Sequence, residues 1–254
     1  MDRYNRLAEK FGNREKIVGT HMTILTSTYL LECMDRPDLD FMLFDTEHGI
    51  FDTVSVAPLL QICRLMGLPS IVRVQDSVYH LVAKVLDMGA DGVMIPRTES
   101  LEQLRTAVDG FLFYPDGRKG KGGHAQFRKG EAYEDYGKTR FLLPQIESPR
   151  GIELLPGMLE EYGDYISAII VGPTDLSITL GVPRKIHSPQ VTEAVQKVFD
   201  ICKAYDKSCG IYCNDEVMAK KYWDMGGNVL WTGKDKDIFM ERYTQMMDGL
   251  SELQ

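Results

Sequence analysis

Eight short apolar runs recur along this chain of 254 residues, each separated from the next by a longer amphipathic stretch. The runs are Lys16-Ile-Val-Gly-Thr20, Phe41-Met-Leu-Phe44, Ser70-Ile-Val-Arg73, Gly92-Val-Met-Ile95, Phe141-Leu-Leu-Pro144, Ile166-Ser-Ala-Ile-Ile-Val171, Gly210-Ile-Tyr212 and Asn228-Val-Leu-Trp231. They are nearly continuously apolar rather than alternating, the pattern of parallel strands covered on both faces. Residues 54–66, 79–88, 101–109, 152–162, 190–205 and 216–225 place apolar side chains three and four apart, as amphipathic helices do. Gly67, Gly89 and Gly226 stand where three of these helices would end. Strand and helix alternating eight times without a break in composition predict an α/β fold, a single (β/α)8 TIM-type barrel over residues 1–254.

Composition narrows the function. A hydrophobic fraction of 44% and a charged fraction of 26% belong to an ordinary globular protein. The net charge of -8 and pI near 5.2 leave no basic footprint for nucleic acid. Met1-Asp-Arg-Tyr-Asn-Arg6 is polar with no apolar run after it, and no stretch approaches the roughly 20 apolar residues of a membrane span. A cytoplasmic protein with reduced thiols is expected, since the five cysteines form no CxxC pair. Cys209 and Cys213 flank a strand and read as packing residues.

A parallel barrel builds its active site from the loops after its strands, so the polar residues closing each run should converge. These are Asp45, Glu47 and His48, then Arg73, Pro96-Arg97, Gln145 and Glu147, and Gly172-Pro-Thr-Asp175. A carboxylate where a core strand meets its loop is costly to desolvate unless paired or bound to a cation, so Glu147 and Asp175 are candidate ligands of Mg²⁺ or Mn²⁺. Structural ion pairs with barrel arginines, or an N-cap role for Asp175, explain the same positions. The helix start at Gly172-Pro-Thr-Asp-Leu-Ser177 offers free N–H groups to a carboxylate. His48 suits a general base near neutral pH if a carboxylate orients it; a structural histidine is the alternative. Arg73 offers a fixed cation to a developing oxyanion, or a buried partner to Asp45. Asp87 closes an apolar helix, an unfavourable end for a carboxylate, where it is either compensated or a surface charge. The segment 114–128 is glycine-rich and basic, and it lacks the nucleotide-binding pattern.

Phe44-Asp-Thr-Glu-His-Gly49, Val72-Arg73-Val74, Leu86-Asp-Met-Gly-Ala90 with Ile95-Pro96, Pro144-Gln-Ile-Glu147, and Gly172-Pro-Thr-Asp-Leu-Ser177 with Leu180-Gly181 occur in this order. Together they resemble the HpcH/HpaI aldolase family, the metal-dependent pyruvate aldolases related to citrate lyase β subunits. The resemblance implies a divalent-metal lyase, with Mg²⁺, Mn²⁺ or Co²⁺, that cleaves a 4-hydroxy-2-oxo acid to pyruvate and an aldehyde. It implies Glu147 and Asp175 as metal ligands, with Gln145, Thr174 and Asp175 against the 2-oxo acid. His48 becomes the proton acceptor, Asp87 its partner and Arg73 the stabiliser of the enolate oxygen. It further implies a last helix exchanged with a neighbouring subunit and a hexameric homo-oligomer built as a trimer of dimers. A CoA-ester lyase and a non-catalytic 2-oxo-acid-binding barrel are the competing readings. Two regions depart from the family pattern: Gly-Ile-Phe-Asp follows His48, and the 114–128 segment carries lysines and His124. Both are expected on the aldehyde side.

Overall fold

The computed structural model describes residues 2–123 and 125–253, so His124 lies outside the described residues. Eight parallel strands close into a barrel in sequence order: β1 Ile17–Met22, β2 Phe41–Asp45, β3 Ser70–Arg73, β4 Gly92–Ile95, β5 Phe141–Ile146, β6 Ala168–Val171, β7 Ser208–Tyr212 and β8 Val229–Thr232. Closure is made by β1 against β8, with Ile17 opposite Val229 and Thr20 opposite Thr232. All eight expected strands are present, and the barrel belongs to the TIM type.

The helices are α1 Arg3–Gly12, α2 Thr28–Met34, α3 Thr53–Met66, α4 Tyr79–Asp87, α5 Leu101–Phe111, α6 Pro149–Tyr162, α7 Pro173–Thr179, α8 Pro189–Ala204, α9 Glu216–Asp224 and α10 Asp235–Ser251. Asp52 caps α3 by accepting from the Val54 and Ser55 amides, and Gly67 ends it at φ 67°. Two apolar layers result. One lies between strands and helices, with Leu59, Val82, Leu104, Leu155 and Val195 fully buried in it. The other fills the barrel, where Ile17, Leu43, Ile71, Met94, Leu143, Ile170 and Val229 meet.

Helix α1 closes the amino end of the barrel. Its Leu7 and Phe11 join the inner layer, and the Phe11 ring lies 5.2 Å from that of Phe141. Helix α10 is the opposite case. Asp235 is its only buried residue, while Ile238, Phe239, Met240, Tyr243, Met246, Met247 and Leu250 are exposed. Among the described residues, no helix is long and apolar enough to cross a membrane.

Candidate active site at the carboxyl ends of the strands

Side chains on a strand alternate between its two faces, so the inward positions continue upward from the inner apolar layer. In β2 that series is Phe41, Leu43 and Asp45; in β3 it is Ile71 and Arg73; in β5 it is Phe141, Leu143, Gln145 and then Glu147. Polar groups thereby begin where the apolar filling ends. A cavity of about 310 Å³ opens there, with Leu43 and Met94 of the inner layer as its floor and His48, Arg73, Gln145, Thr174 and Asp175 on its walls.

Asp45 organises one side. Its Oδ1 accepts from the Glu47 amide at 3.0 Å, the His48 amide at 3.2 Å and Arg73 Nε at 2.9 Å, while Oδ2 accepts from Arg73 Nη2 at 2.5 Å. Gly49 completes this turn by necessity, because a Cβ there would stand 2.1 Å from the Asp45 carbonyl oxygen. Burial alone would raise the Asp45 carboxyl, but the His21 ring and the Arg73 guanidinium outweigh it and hold the group well below the usual carboxylate range. Arg73 Nη1 also lies 3.3 Å from Glu47 Oε2, and Arg97 Nε 3.7 Å from Glu47 Oε1. His48, 65% exposed at its side chain, holds Nε2 3.7 Å from Glu47 Oε2.

Glu147 faces different company. Its Oε1 accepts from the Arg97 backbone amide at 2.8 Å and its Oε2 from Gln145 Nε2 at 3.0 Å. Arg97 holds that amide in place at φ 45°, a left-handed conformation unusual for a residue with a side chain. Gly172 lets the carboxylate approach β6: a Cβ there would stand 2.1 Å from Glu147 Oε2. Burial first, then the negative charges of Asp175 and Glu47, push the Glu147 carboxyl up from 4.5 to about 7. Among the described residues neither Glu147 nor Asp175 forms an ion pair, since Arg73 and Arg97 are spent on Asp45 and Glu47. The N-cap of α7 is Gly172, and Asp175 caps nothing.

These residues fit a divalent cation. The donors are hard oxygens carrying uncompensated negative charge, and the buried Gln145 Oε1 beside them has no hydrogen-bond partner. Among the described residues no group of three or more His, Cys, Asp or Glu side chains could hold a metal. Two carboxylates would therefore leave most of the coordination shell to water and substrate oxygens, as Mg²⁺ prefers.

The structure thus brings together six of the seven residues singled out in the sequence: His48, Arg73, Gln145, Glu147, Thr174 and Asp175. It does not bring Asp87 to them. Helix α4 runs back from β3 toward the start of β4, so Asp87 at its last turn lies at the amino ends of the strands. There Lys119 Nζ and Gln126 Nε2 donate to its carboxylate, and the Ala125 amide donates to its carbonyl oxygen. Within one chain the His48–Asp87 pair is not formed, and Glu47 is the carboxylate beside His48.

The 114–128 segment shares that displacement. Its described residues, 114–123 and 125–128, belong to the connection from α5 to β5, so they lie below the barrel and not on the aldehyde side of the same chain's cavity. A larger hollow of about 670 Å³ adjoins it, but its polar rim, Asp116, Glu134 and Lys138, is exposed and gathers no converging catalytic groups. The sequence reading passed over four cavity residues, His21, Tyr212, Trp231 and Lys234. The available signal was strand alternation: His21 and Tyr212 stand two positions beyond the inward Gly19 and Gly210, and Trp231 two beyond Val229.

Comparison with known proteins agrees with this geometry. The chain is 28% identical over 242 residues to 2-keto-3-deoxy-L-rhamnonate aldolase of Salmonella typhi, covering 93% of this chain and 90% of that one. It is 27% identical over 228 residues to 5-keto-4-deoxy-D-glucarate aldolase of Salmonella paratyphi C, covering 88% of each. A crystal structure of a HpcH/HpaI aldolase/citrate lyase family protein from Burkholderia cenocepacia superposes with a TM-score of 0.87 at 25% identity, over 97% of this chain and 99% of that one. The model of the family described as HpcH/HpaI aldolase/citrate lyase matches residues 23–240. By that match over most of its length, the chain belongs to the HpcH/HpaI aldolase/citrate lyase family.

Proposed function

We propose that this protein is a divalent-metal-dependent aldolase that cleaves a 4-hydroxy-2-oxo acid to pyruvate and an aldehyde. The observation that carries the reading is the pair Glu147 and Asp175, neither in an ion pair among the described residues, with Asp175 and the Glu147 partner Gln145 lining a cavity walled by Arg73 and His48. A volume of about 310 Å³ sits at the small end of ligand cavities, which suits a short acid. The relatives' names place sugar-acid aldolases in the same family, and the chemistry is carried here from them.

Glu147 and Asp175 would hold the cation, Mg²⁺ or alternatively Mn²⁺ or Co²⁺. When bound, it would supply Lewis-acid polarisation of the 2-oxo group. Gln145 offers its amide to the same group, and the first-turn amides of α7 around Thr174 and Asp175 face the cavity as carriers of positive dipole for the substrate carboxylate. His48 accepts the proton of the C4 hydroxyl as the C3–C4 bond breaks, oriented by Glu47. The electron pair of that bond passes to the oxo oxygen, giving pyruvate enolate and the free aldehyde. Arg73, fixed by its two bonds to Asp45, stabilises the enolate charge. Asp87 takes no step within one chain.

We also assign the exposed apolar side chains of α10 to contact with neighbouring copies, in a hexameric homo-oligomer with that helix exchanged between subunits. Light scattering after size exclusion tests this, with Phe239→Glu and Met246→Glu expected to lower the assembled mass. The activity is tested by following pyruvate release from 4-hydroxy-2-oxo acids in EDTA and after adding back Mg²⁺, Mn²⁺ or Co²⁺. Release that persists unchanged without metal would sink the proposal.

A further inference from the structure

We propose that the hollow at the amino end of the barrel is a binding site for a linear polyamine, separate from the strand-end cavity and from the chemistry assigned to it. The hollow measures about 670 Å³, within the range of ligand sites, and runs under the starts of β5, β6 and β7, bordered by α1 and the connection from α5 to β5. Eight of its lining residues are aromatic, which gives it more ring surface than the strand-end cavity has. Phe11, Phe111 and Phe141 are buried in its wall, while Tyr114 and Tyr133 stand 85% and 47% exposed beside it. Its rim carries four carboxylates: Asp116 and Glu134 from the connection, Asp164 before β6 and Asp206 before β7. Among the described residues none of the four forms an ion pair, and Asp116 only accepts from the Tyr165 hydroxyl at 3.1 Å.

The cations that line the hollow are already spent. Asp135 holds Lys138 at 2.6 Å and Glu131 holds Arg140 at 2.9 Å. Arg140 also donates to the Gln126 carbonyl oxygen and lies 4.4 Å over the Tyr136 ring. Lys207 Nζ donates to the Gly163 and Ile166 carbonyl oxygens at 2.7 and 2.9 Å. The uncompensated charge of the rim is therefore negative. A single metal ion does not answer it, because among the described residues no group of three or more His, Cys, Asp or Glu side chains could hold one. The carboxylates are spread instead along the feet of three adjacent strands, and two interstrand spacings of about 4.8 Å set β5 and β7 roughly 10 Å apart. Charge spread over that length matches ammonium groups strung along a methylene chain, and aromatic faces receive both the methylenes and the cations. Tyr136 points to the same ligand. It is 2% exposed, it lines the hollow, and its hydroxyl has no hydrogen-bond partner. A phenol oxygen accepts from an ammonium group, and a buried polar atom without a partner marks where a ligand completes it.

Calorimetry with spermidine, in excess Mg²⁺ to occupy the strand-end carboxylates, tests the site against octanediol, an uncharged chain of similar length. Spermidine should bind saturably at one per chain, and octanediol should not bind. Glu134→Gln combined with Asp164→Asn should weaken spermidine about 5- to 20-fold, the effect of two exposed ion pairs. Tyr133→Leu should weaken it about 2- to 5-fold, the effect of one exposed cation–π contact. Glu32→Gln combined with Glu193→Gln removes the same charge from residues outside the hollow, and Glu147→Gln removes charge at the strand ends; both should leave the affinity unchanged. An equal loss in the Glu32 and Glu193 variant would show spermidine following net charge alone and overturns the site. Absence of saturable binding, equal binding of octanediol, or a loss that follows Glu147 rather than Glu134 and Asp164 overturns it as well. The measurement needs no turnover, so its outcome is independent of the aldolase reading.

Discussion

Replacing Glu147 by glutamine should stabilise the metal-free protein and remove its response to metal. Glutamine keeps the shape and keeps an oxygen to accept from the Arg97 amide, whose 2.8 Å contact is the carboxylate's backbone tether. What disappears is a buried negative charge beside two others. Raising a carboxyl from 4.5 to about 7 corresponds to roughly 3 kcal/mol at about 1.4 kcal/mol per tenfold, and partial relaxation brings the expected gain to about 1–3 kcal/mol. The sign follows from linkage. Below the unfolded value both states are protonated and the position costs nothing. As pH rises from 4.5 to about 7 the unfolded chain ionises first, so the native state loses stability through that window and stays lower above it.

Urea unfolding in EDTA at pH 5 and pH 8 measures this directly. The Glu147→Gln advantage should be small at pH 5 and near its full size at pH 8. Saturating Mg²⁺ should then reverse the order, because binding to the native state alone adds about 2.7 kcal/mol at a hundred times Kd to the wild type, while the variant's response is weakened. A variant less stable than wild type in EDTA at pH 8, or one stabilised equally by Mg²⁺, would refute the assignment of Glu147 as an uncompensated ligand.

Other perturbations separate the remaining roles. His48→Ala should lower cleavage about 10²- to 10⁴-fold while pyruvate and metal still bind by calorimetry, the range for a lost general base. Arg73→Ala should cost about 10²- to 10³-fold in kcat and also destabilise the fold by about 3–5 kcal/mol in urea, since it strands the buried Asp45; Arg73→Lys should recover most of the stability and little of the rate. Lys119→Met should leave the Asp87 carboxylate with Gln126 alone and speed hydrogen exchange across 114–123 and 125–128. Gly172→Ala should weaken metal binding through displacement of the Glu147 carboxylate, read by the Mg²⁺ concentration for half-maximal stabilisation.

The barrel was legible because both faces of its strands are buried, which writes each strand as an unbroken apolar run. The same property hid part of the site. Where inner and outer faces are both apolar, the period-two signal fades, and His21, Tyr212 and Trp231 read as the tapering ends of core strands. Glu147 and Asp175 stood out because a carboxylate at such a position demands a reason. Lys234 did not, since a lysine in a loop demands none. Asp87 shows a different limit: its residue type and spacing are visible in sequence, but which end of the barrel it occupies depends on whether its loop leaves a strand or enters one. The 114–128 segment was misplaced for the same topological reason. Helix α10 was implied by the family resemblance alone and not by periodicity, because its apolar residues are not gathered on a face buried by its own chain.

The arrangement of charge at the strand ends carries the functional argument one step further. Four carboxylates converge there, and the chain supplies two arginines. Both arginines are committed to the β2 side, where Asp45 and Glu47 receive the Arg73 fork and the more distant Arg97. Asp45 is consequently ionised at any ordinary pH, and its charge fixes the guanidinium and the backbone of Glu47 and His48. On the β5 and β6 side Arg97 gives Glu147 only a backbone amide, the weaker of the two donors it could have offered. A single strained residue therefore serves both halves, neutralising one with its side chain and merely orienting the other with its backbone. That division leaves Glu147 poised near 7 and able to exchange a proton for a cation at neutral pH, while the oxyanion donor opposite stays permanently charged. Moving a cation from the first half to the second, as Gln145→Arg would do, should raise metal-free stability and abolish metal binding together. A variant that gained stability yet kept its Mg²⁺ response would break the link between the missing protein cation and the bound one.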